Sequence, residues 1–218
     1  YRIQVKGFDL RPYFSEPRTP EYYVNLLESA GYGRSDLWHT WDLPAMVFPM
    51  MEQFLRGSLA KYDQSYLESF EFRPIRTDNF LEVCAIMRPI VMDTYWDNFG
   101  CTDMGEAEYL QTQGGMGFLA NKHSYIIHAA DGEPAGFVWG FYDYAEAFIE
   151  MDGDLANWSA VENATCPYGV WHSIGIKKEF RGAGLLSYAA LRTLLTCKEL
   201  GLDAVVAALV KDGPSGYD

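Results

Sequence analysis

The chain has 218 residues, 49% of them hydrophobic and 22% charged, a balance typical of a globular protein that needs no disulfide or metal staple. Its formal net charge of −13 argues against nucleic-acid binding, because an acidic surface repels phosphate backbones. No apolar run reaches membrane-spanning length and no signal peptide opens the sequence. We therefore expect a cytoplasmic protein without membrane contact.

The cysteines are widely spaced and form neither a CxxC pair nor a zinc-binding pattern. We therefore expect free thiols, buried or half-buried, and no metal. The four are Cys84, Cys101, Cys166 and Cys197.

The N-terminal part of the chain begins with a Pro-rich stretch and continues with three predicted elements. After Pro20, apolar side chains fall close to one helical face, and Gly31 can end that helix. An aromatic-rich stretch typical of a strand follows. The predicted elements are a helix over 21–30, a strand over 37–43 and a helix over 44–61. We expect 1–68 to be an N-terminal helix and strand segment with a linker helix, and 69–218 to be the main domain.

From residue 69 the pattern restarts in the order β-α-α-β-β-β-α-β. Asp131 and Gly132 predict a hairpin turn, because this pair supplies the positive φ that such a turn needs. The mixture predicts an α+β domain rather than a doubly wound parallel sheet. The strands are predicted near 70–75, 124–130, 135–141, 170–176 and 204–210, the helices near 77–96, 103–113 and 185–200, and a loop over 151–168.

The most informative segment is 174–187, with the sequence IGIKKEFRGAGLLS. A strand leads into a basic turn, then glycines, then the start of a helix, where backbone N–H groups lack intrahelical partners and the helix dipole is positive. Gly182 and Gly184 let the backbone approach an anion. Three cations lie around this turn, namely Lys177, Lys178 and Arg181. The pattern predicts a pyrophosphate site, although a glycine-rich turn that merely joins strand to helix would look the same.

Two other phosphate loops fit this segment less well. A Walker A loop needs Gly-Lys followed by Ser or Thr, which is absent,. A dinucleotide fingerprint needs its glycines directly after the strand of a βαβ unit. Here the predicted strand ends near Ile176, and the strand before it is the return arm of a hairpin.

The same segment resembles the central motif of the GNAT superfamily of N-acetyltransferases, a strand and short turn followed by Q/R-x-x-G-x-G/A. Arg181 takes the first position and Gly184 the middle one, while Leu186 departs from the usual Gly or Ala. The element order over about two-thirds of the chain is similar as well. The resemblance implies a mixed, mostly antiparallel central sheet flanked by helices, with a pantetheine cleft between two splayed strands.

The resemblance also implies which residues hold acetyl-CoA or another acyl-CoA. The strand would offer backbone groups to the pantetheine arm, which would lie along it like an added strand. The turn and the helix start would hold the pyrophosphate. The implied residues are Ile174, Gly175 and Ile176 on the strand, and Arg181, Gly182, Ala183, Gly184, Leu185, Leu186 and Ser187 on the turn and helix.

Both ends of the chain resemble parts of tandem GNAT-like proteins. Residues 18–32 are similar to the tail of one unit, and residues from Asp93 onward to the first helices of the next. We expect either a fragment of a longer tandem protein, truncated at its C-terminus, or an arrangement in which the N-terminal stretch fills the place of a closing element.

The catalytic group is less defined by sequence. Direct transfer to an amine needs a base for the amine proton and an acid for the leaving thiolate. His172 and Ser173 lie on the cofactor strand, and Tyr217 is the tyrosine nearest the family's usual acid. On a regular strand His172 shares a face with Ile174 and Ile176, whereas a bulge changes that face. A histidine in a strand is also often structural.

Other candidate side chains near the site have ordinary structural explanations. Asp143 and Glu162 are carboxylates that we expect to be solvated surface acids. Three aromatic residues suit either an acceptor pocket or the core. They are Trp139, Phe141 and Trp171.

Three functions fit these observations. The first is an acyl-CoA-dependent N-acyltransferase with a small-molecule or peptide amine as acceptor. The second is an acyl-CoA-binding module without turnover, and the third is acyl transfer to a carrier-protein thiol or hydroxyl. The acceptor and the oligomeric state stay open, because fold resemblance indicates cofactor binding better than reaction.

Overall fold

A computed structural model describes residues 2–98 and 101–212. The chain forms two compact units, Tyr1–Leu37 with Asp143–Cys166, and Trp38–Tyr142 with Pro167–Asp218. The predicted boundary between residues 68 and 69 lies inside the larger unit.

The larger unit holds a six-stranded sheet and most of the helices. Its strands are β1 (Trp38–Pro44), β2 (Glu71–Pro74), β3 (Tyr125–His128), β4 (Pro134–Tyr142), β5 (Tyr168–Ile176) and β6 (Ala204–Lys211). The helices of the chain are α1 (Tyr22–Ser29), α2 (Phe48–Leu59), α3 (Gln64–Glu68), α4 (Phe80–Tyr95), α5 (Glu106–Gln113), α6 (Ala145–Met151), α7 (Ser159–Glu162) and α8 (Leu185–Glu199). Of these, α1, α6 and α7 belong to the smaller unit.

The sheet has the order β1-β6-β5-β4-β3-β2. Every neighbouring pair is antiparallel except β5 and β6, which are parallel. The predicted mixed, mostly antiparallel sheet is therefore confirmed. Because β1 pairs with β6, the N-terminal stretch supplies the strand at that edge of the sheet. That it fills the place of a closing element stays a prediction.

Helices pack on both faces of the sheet. On one face, Leu185 and Ala189 of α8 pack with Leu59 of α2 and Val138 of β4. On the other face α4 packs on β4 and β5, with the Phe80 ring 5.3 Å from the Trp139 ring. The buried residues of α4 recur at helical spacing and are Phe80, Val83, Cys84, Met87 and Ile90, which explains why this segment is helical.

The smaller unit contains elements that the sequence did not reveal. The predicted loop over 151–168 is wrong in part, because it holds a 3₁₀ turn at Leu155–Asn157 and the helix α7. The helix α6 was not predicted either. These helices are too short for a clear period, but Ala147, Met151 and Val161 pack together as a small core,.

Asp143 is not the solvated acid that we expected. Its side chain is 2% exposed and forms an ion pair with Arg11 at 3.0 Å. Its carboxylate also accepts the backbone N–H groups of Phe14 and Ala145, at 2.7 and 3.1 Å. Buried carboxylates need such partners, and these partners of Asp143 all belong to the smaller unit, so Asp143 joins parts of that unit.

All four cysteines are free, with Cys84 and Cys197 buried and Cys101 and Cys166 half-buried, as predicted. Burial raises the pKa of the Cys84, Cys166 and Cys197 thiols to about 11. Within residues 2–98 and 101–212, no group of three or more His, Cys, Asp or Glu side chains is placed to hold a metal ion. No helix of the described part is long and apolar enough to cross a bilayer.

A pH-dependent stability follows from His123, which is fully buried. Burial lowers the pKa of this imidazole from 6.5 to about 4, and the backbone of Phe141 and Val170 opposes the shift only in part. Because the unfolded chain takes up the proton and the folded state does not, this group costs stability as pH falls below its unfolded pKa. We expect the free energy of unfolding to drop by about 1 kcal/mol between about pH 7 and about pH 5.5 on this account.

Urea unfolding of the wild type and of His123→Gln at several pH values measures this contribution. It is the difference between the two proteins in the slope of the free energy of unfolding against pH. His39→Gln is the matched control, because the His39 side chain is 47% exposed. The slope should flatten more in His123→Gln than in His39→Gln. Equal slopes in all three proteins would contradict the assignment.

Candidate functional site

The two parallel strands of the sheet separate part-way along their length. They pair from Tyr168 with Ala204 to Trp171 with Ala207. Beyond that point β5 continues to Ile176 while paired with β4, and β6 continues while paired with β1. A cleft therefore opens between β5 and β6, as the prediction of splayed strands requires.

Each strand has an irregularity directly after the last shared pair. On β5, Trp171 and Ser173 pair with adjacent residues of β4, so His172 is an extra residue that forms a bulge. On β6 the register with β1 shifts between Ala207 and Val210, and Leu209 has a φ of 60°. Bulges bend a strand and increase its twist. Because both occur at the same level, the strands part there.

The bulge determines which way His172 faces. Ile174 pairs with Val138. Together with Ile176 it packs in the core on the face of the sheet that α8 covers. The His172 ring instead lies 5.6 Å from the ring of Phe141. Its Nδ1 is 2.8 Å from the Oγ of Ser173. The regular-strand assignment is therefore wrong for His172, and the structure has the bulged alternative.

The turn after β5 has the shape that the glycines predict. A 3₁₀ turn covers Lys178–Phe180, and Gly182 and Gly184 have φ of 76° and 88°, a region that other residues rarely adopt. The helix α8 begins directly after Gly184, and the N–H of Tyr188 donates to the carbonyl of Gly184 at 3.0 Å. The N–H groups of the first turn of α8 precede this bond, so they have no intrahelical partners.

The two glycines differ in what surrounds them. A Cβ on Gly182 would meet nothing within 4 Å, whereas a Cβ on Gly184 would lie 2.6 Å from the ring of Tyr62. Gly182 is therefore the position where the backbone borders open space. Gly184 is needed for close packing on Tyr62 as well as for its φ, which sequence reasoning attributed to the anion alone.

The three cations of the turn are engaged with carboxylates. Lys177 pairs with Glu133 at 2.6 Å. Arg181 donates from Nε to the carbonyl of Ile176 at 2.7 Å, and from Nη2 to Asp93 at 3.2 Å. Lys178 donates its backbone N–H to the same oxygen of Asp93 at 3.0 Å, and its ammonium lies 3.5 Å from the other. Arg181 thus holds the turn against the strand.

Asp93 and Tyr95, at the end of α4, were not predicted as part of this site. The Tyr95 hydroxyl donates to the carbonyl of Ile174 at 3.0 Å. No local sequence signal marks either residue, because their partners lie 79 to 88 positions away along the chain.

The remaining candidates fall into four groups. Ala183, Leu186 and Ser187 are half-buried at the start of α8, while Leu185 is buried in the core. Trp139 and Phe141 are buried in the core. Trp171 is half-buried and packs against a separate cluster that includes Leu194 and Cys197 of α8. Glu162 is exposed on α7. Tyr217 lies outside the described residues, so its predicted role stays a prediction.

Comparison with solved structures defines the class of fold. A crystal structure of a GCN5-related N-acetyltransferase from Sphaerobacter thermophilus matches with a TM-score of 0.53 at 13% sequence identity, covering 90% of this chain and 49% of that one. L-PGS from Bacillus licheniformis matches with a TM-score of 0.49 at 12% identity, covering 89% and 53%. The first of these matches shows that the fold is GNAT-like, which confirms the resemblance at the level of the fold.

Sequence comparison is less informative. No family profile matches the chain. Protein YghO of Escherichia coli strain K12 is 23% identical over 153 residues, which is 70% of this chain and 38% of that protein. The chain therefore matches about half the length of each of the two structurally similar chains, and 38% of the length of Protein YghO.

Packing at Gly184 leads to a stability prediction. We expect Gly184→Ala to destabilise the fold by about 2–4 kcal/mol, because a positive φ and a contact with Tyr62 both oppose the new methyl group. Gly182→Ala has only the cost of its φ, about 1–2 kcal/mol. Denaturant unfolding measures both.

A double-mutant cycle separates the two causes. Adding Tyr62→Ala to Gly184→Ala should recover about 1 kcal/mol relative to additivity, because the clash disappears. Strict additivity of Gly184→Ala and Tyr62→Ala would show that the ring does not constrain this position.

Proposed function

We propose that this chain is an acyl-CoA-dependent acyltransferase that moves an acetyl or similar acyl group directly to an amine. Pantetheine would lie along the free edge of β5, and the pyrophosphate would bind at the 181–187 turn. The observation that carries the proposal is that the cleft between β5 and β6 and the glycine turn adjoin the same stretch of β5. An extended arm and an anionic head can then bind side by side.

The edge of β5 supports binding of an extended arm. The carbonyls of Ile174 and Ile176 accept bonds from side chains, Tyr95 and Arg181, so they point away from β4. In a strand the N–H and C=O of one residue point to the same side, and the N–H groups of Ile174 and Ile176 therefore face the cleft. Pantetheine has two amides, which can pair with such an edge as a peptide does in β-augmentation.

The turn supports binding of a diphosphate. The first-turn N–H groups of α8 have no intrahelical partners, and Gly182 beside them borders open space, so together they can serve as a cradle of donors for an anion. Backbone donors still attract an anion in a chain of net charge −13. They act at hydrogen-bond distance, whereas the field of the net charge is screened by salt.

Binding at the turn can be tested with a pair of matched substitutions. Gly182 and Gly201 lie just beyond opposite ends of α8, both have positive φ, and a Cβ at either meets nothing within 4 Å. Asn tolerates positive φ, so both Asn variants should fold. We expect Gly182→Asn to weaken CoA binding about tenfold or more, because its side chain enters the cradle, and Gly201→Asn to leave binding unchanged.

Isothermal titration with CoA gives both dissociation constants. If the two variants bind CoA equally, the pyrophosphate does not lie at this turn. If the folded wild type binds neither CoA nor acetyl-CoA at millimolar concentration, the proposed function is wrong.

For the chemistry, we propose that His172 takes or relays the proton of the amine. The bulge puts its ring at the level where the cleft opens, beside Ser173, and an imidazole suits proton transfer near neutral pH. Ser173 orients the ring through the Nδ1 contact at 2.8 Å. Acyl transfer to a carrier thiol or hydroxyl uses the same cofactor site, so the acceptor has to be found by assay.

Substitution of His172 tests this role. We expect His172→Gln to lower kcat about a hundredfold or more, because the general base is lost, with little change in the Kd for acetyl-CoA. Release of the CoA thiol with a panel of small and peptide amines gives the rate. An unchanged kcat and pH profile would rule His172 out. An absence of turnover with tight acetyl-CoA binding would favour a silent binding module.

A further inference from the structure

The last turn of α4 contacts both parts of the proposed acyl-CoA site. Tyr95 donates its hydroxyl to the Ile174 carbonyl at 3.0 Å. Two residues earlier, the Asp93 carboxylate accepts from the Lys178 backbone and from Arg181. One helix end thus supplies a hydroxyl to the strand edge and an anion to the basic turn.

These contacts resemble those that acyl-CoA would make. A pantetheine amide pairing with β5 would donate to the Ile174 carbonyl, which already accepts from Tyr95. A pyrophosphate beside the turn would attract Lys178 and Arg181, which already surround Asp93 at 3.5 and 3.2 Å. The Ile174 carbonyl is therefore already occupied by a donor, as it would be by a pantetheine amide. The two cations are already paired with an anion, as they would be with a pyrophosphate.

The position of Asp93 is unfavourable for the helix itself. A carboxylate in the last turn of a helix faces the negative end of the helix dipole, and the last turn of α4 contains no basic residue. The cations that offset this cost come from the β5–α8 turn rather than from α4. A neutral residue at this position would suit the helix at least as well. The favourable interactions of Asp93 are therefore those with the turn.

We propose that Asp93 and Tyr95 form an internal latch, which competes with acyl-CoA for the strand edge and the basic turn. This inference rests on the proposed function. Binding would displace the Tyr95 hydroxyl from Ile174 and turn the Asp93 carboxylate toward solvent. Such a displacement is feasible, because the Asp93 side chain is 27% exposed and that of Lys178 is 63% exposed.

The latch predicts that removing it tightens binding, whereas residues that only shape a site weaken binding when removed. If the binding-competent state is a minor fraction of the protein, the apparent Kd exceeds the intrinsic one by the inverse of that fraction. We expect Asp93→Asn to bind CoA about threefold to tenfold more tightly. Its amide oxygen can still accept the Lys178 N–H, so the turn keeps that bond.

Two ligands separate the two contacts. Pantetheine has no phosphate, so Asp93→Asn should leave its Kd within about twofold of the wild type. Tyr95→Phe should tighten pantetheine and CoA alike, by about threefold or more, because the strand carbonyl is released. Glu179→Gln is the matched control for charge, since Glu179 is an exposed carboxylate of the same turn, and it should change CoA binding less than about twofold.

Calorimetric titration of the four proteins, each first shown to be folded by circular dichroism, decides between the outcomes. If the wild type binds CoA, and Asp93→Asn and Tyr95→Phe bind it equally or more weakly, the latch is overturned and the proposed function stands. Absence of binding in all four proteins would overturn the proposed function itself. Binding gained only in the variants would support the latch. If Asp93→Asn does not fold, the Tyr95→Phe titrations decide alone.

Discussion

The end of the β5–β6 pairing at Trp171 and Ala207 is the constraint on which the candidate site depends. Parallel strands normally stay paired along their length, so a separation needs a cause in both strands. The bulge at His172 and the positive φ of Leu209 provide one in each strand. Both irregularities cost local backbone energy. The strand pairing with β4 and with β1 on either side of them holds the backbone in place.

This separation turns part of β5 from a sheet interior into an edge, which is where we propose that the ligand binds. Between Ser173 and Ile176, β5 is paired on one side only, and its other side has N–H and C=O groups that need partners. Side chains from α4 and from the turn satisfy two of the carbonyls. In the proposed site, protein groups and a peptide-like ligand would exchange at this edge, at a smaller cost than breaking a continuous ladder.

The electrostatics of the turn rest on neighbouring groups more than on the net charge. The chain has 30 acidic and 17 basic residues, yet two cations of the turn that leads into α8 surround Asp93. Because the Arg181 guanidinium is bonded to Ile176 and Asp93, it acts mainly as a brace of the turn. Backbone donors are then the groups best placed to meet a phosphate.

The sequence predicted those features of the fold that local patterns encode. The strand expected at 170–176 is Tyr168–Ile176, and the helix expected at 185–200 is Leu185–Glu199. Glycines mark both ends of that helix, and its apolar residues recur on one face,. Short helices without a full period, such as α6 and α7, were missed.

The candidate site was predictable only in part, for a physical reason. The glycine turn is a local signal, so its position and conformation follow from the residues of 174–187. The bulge at His172 depends on the register with β4, and the partners of Asp93 and Tyr95 depend on how α4 crosses β5. Contacts between segments so far apart along the chain leave no periodic trace in one sequence.

In the proposed function, acyl-CoA binds along the separated edge of β5 and at the start of α8. Amide-resolved NMR of the protein with and without CoA tests it most directly. We predict slowed hydrogen exchange and shifted resonances at Ile174, Ile176 and residues 182–186 on addition of CoA. Saturating CoA that leaves these amides unchanged, while amides elsewhere respond, would contradict the account.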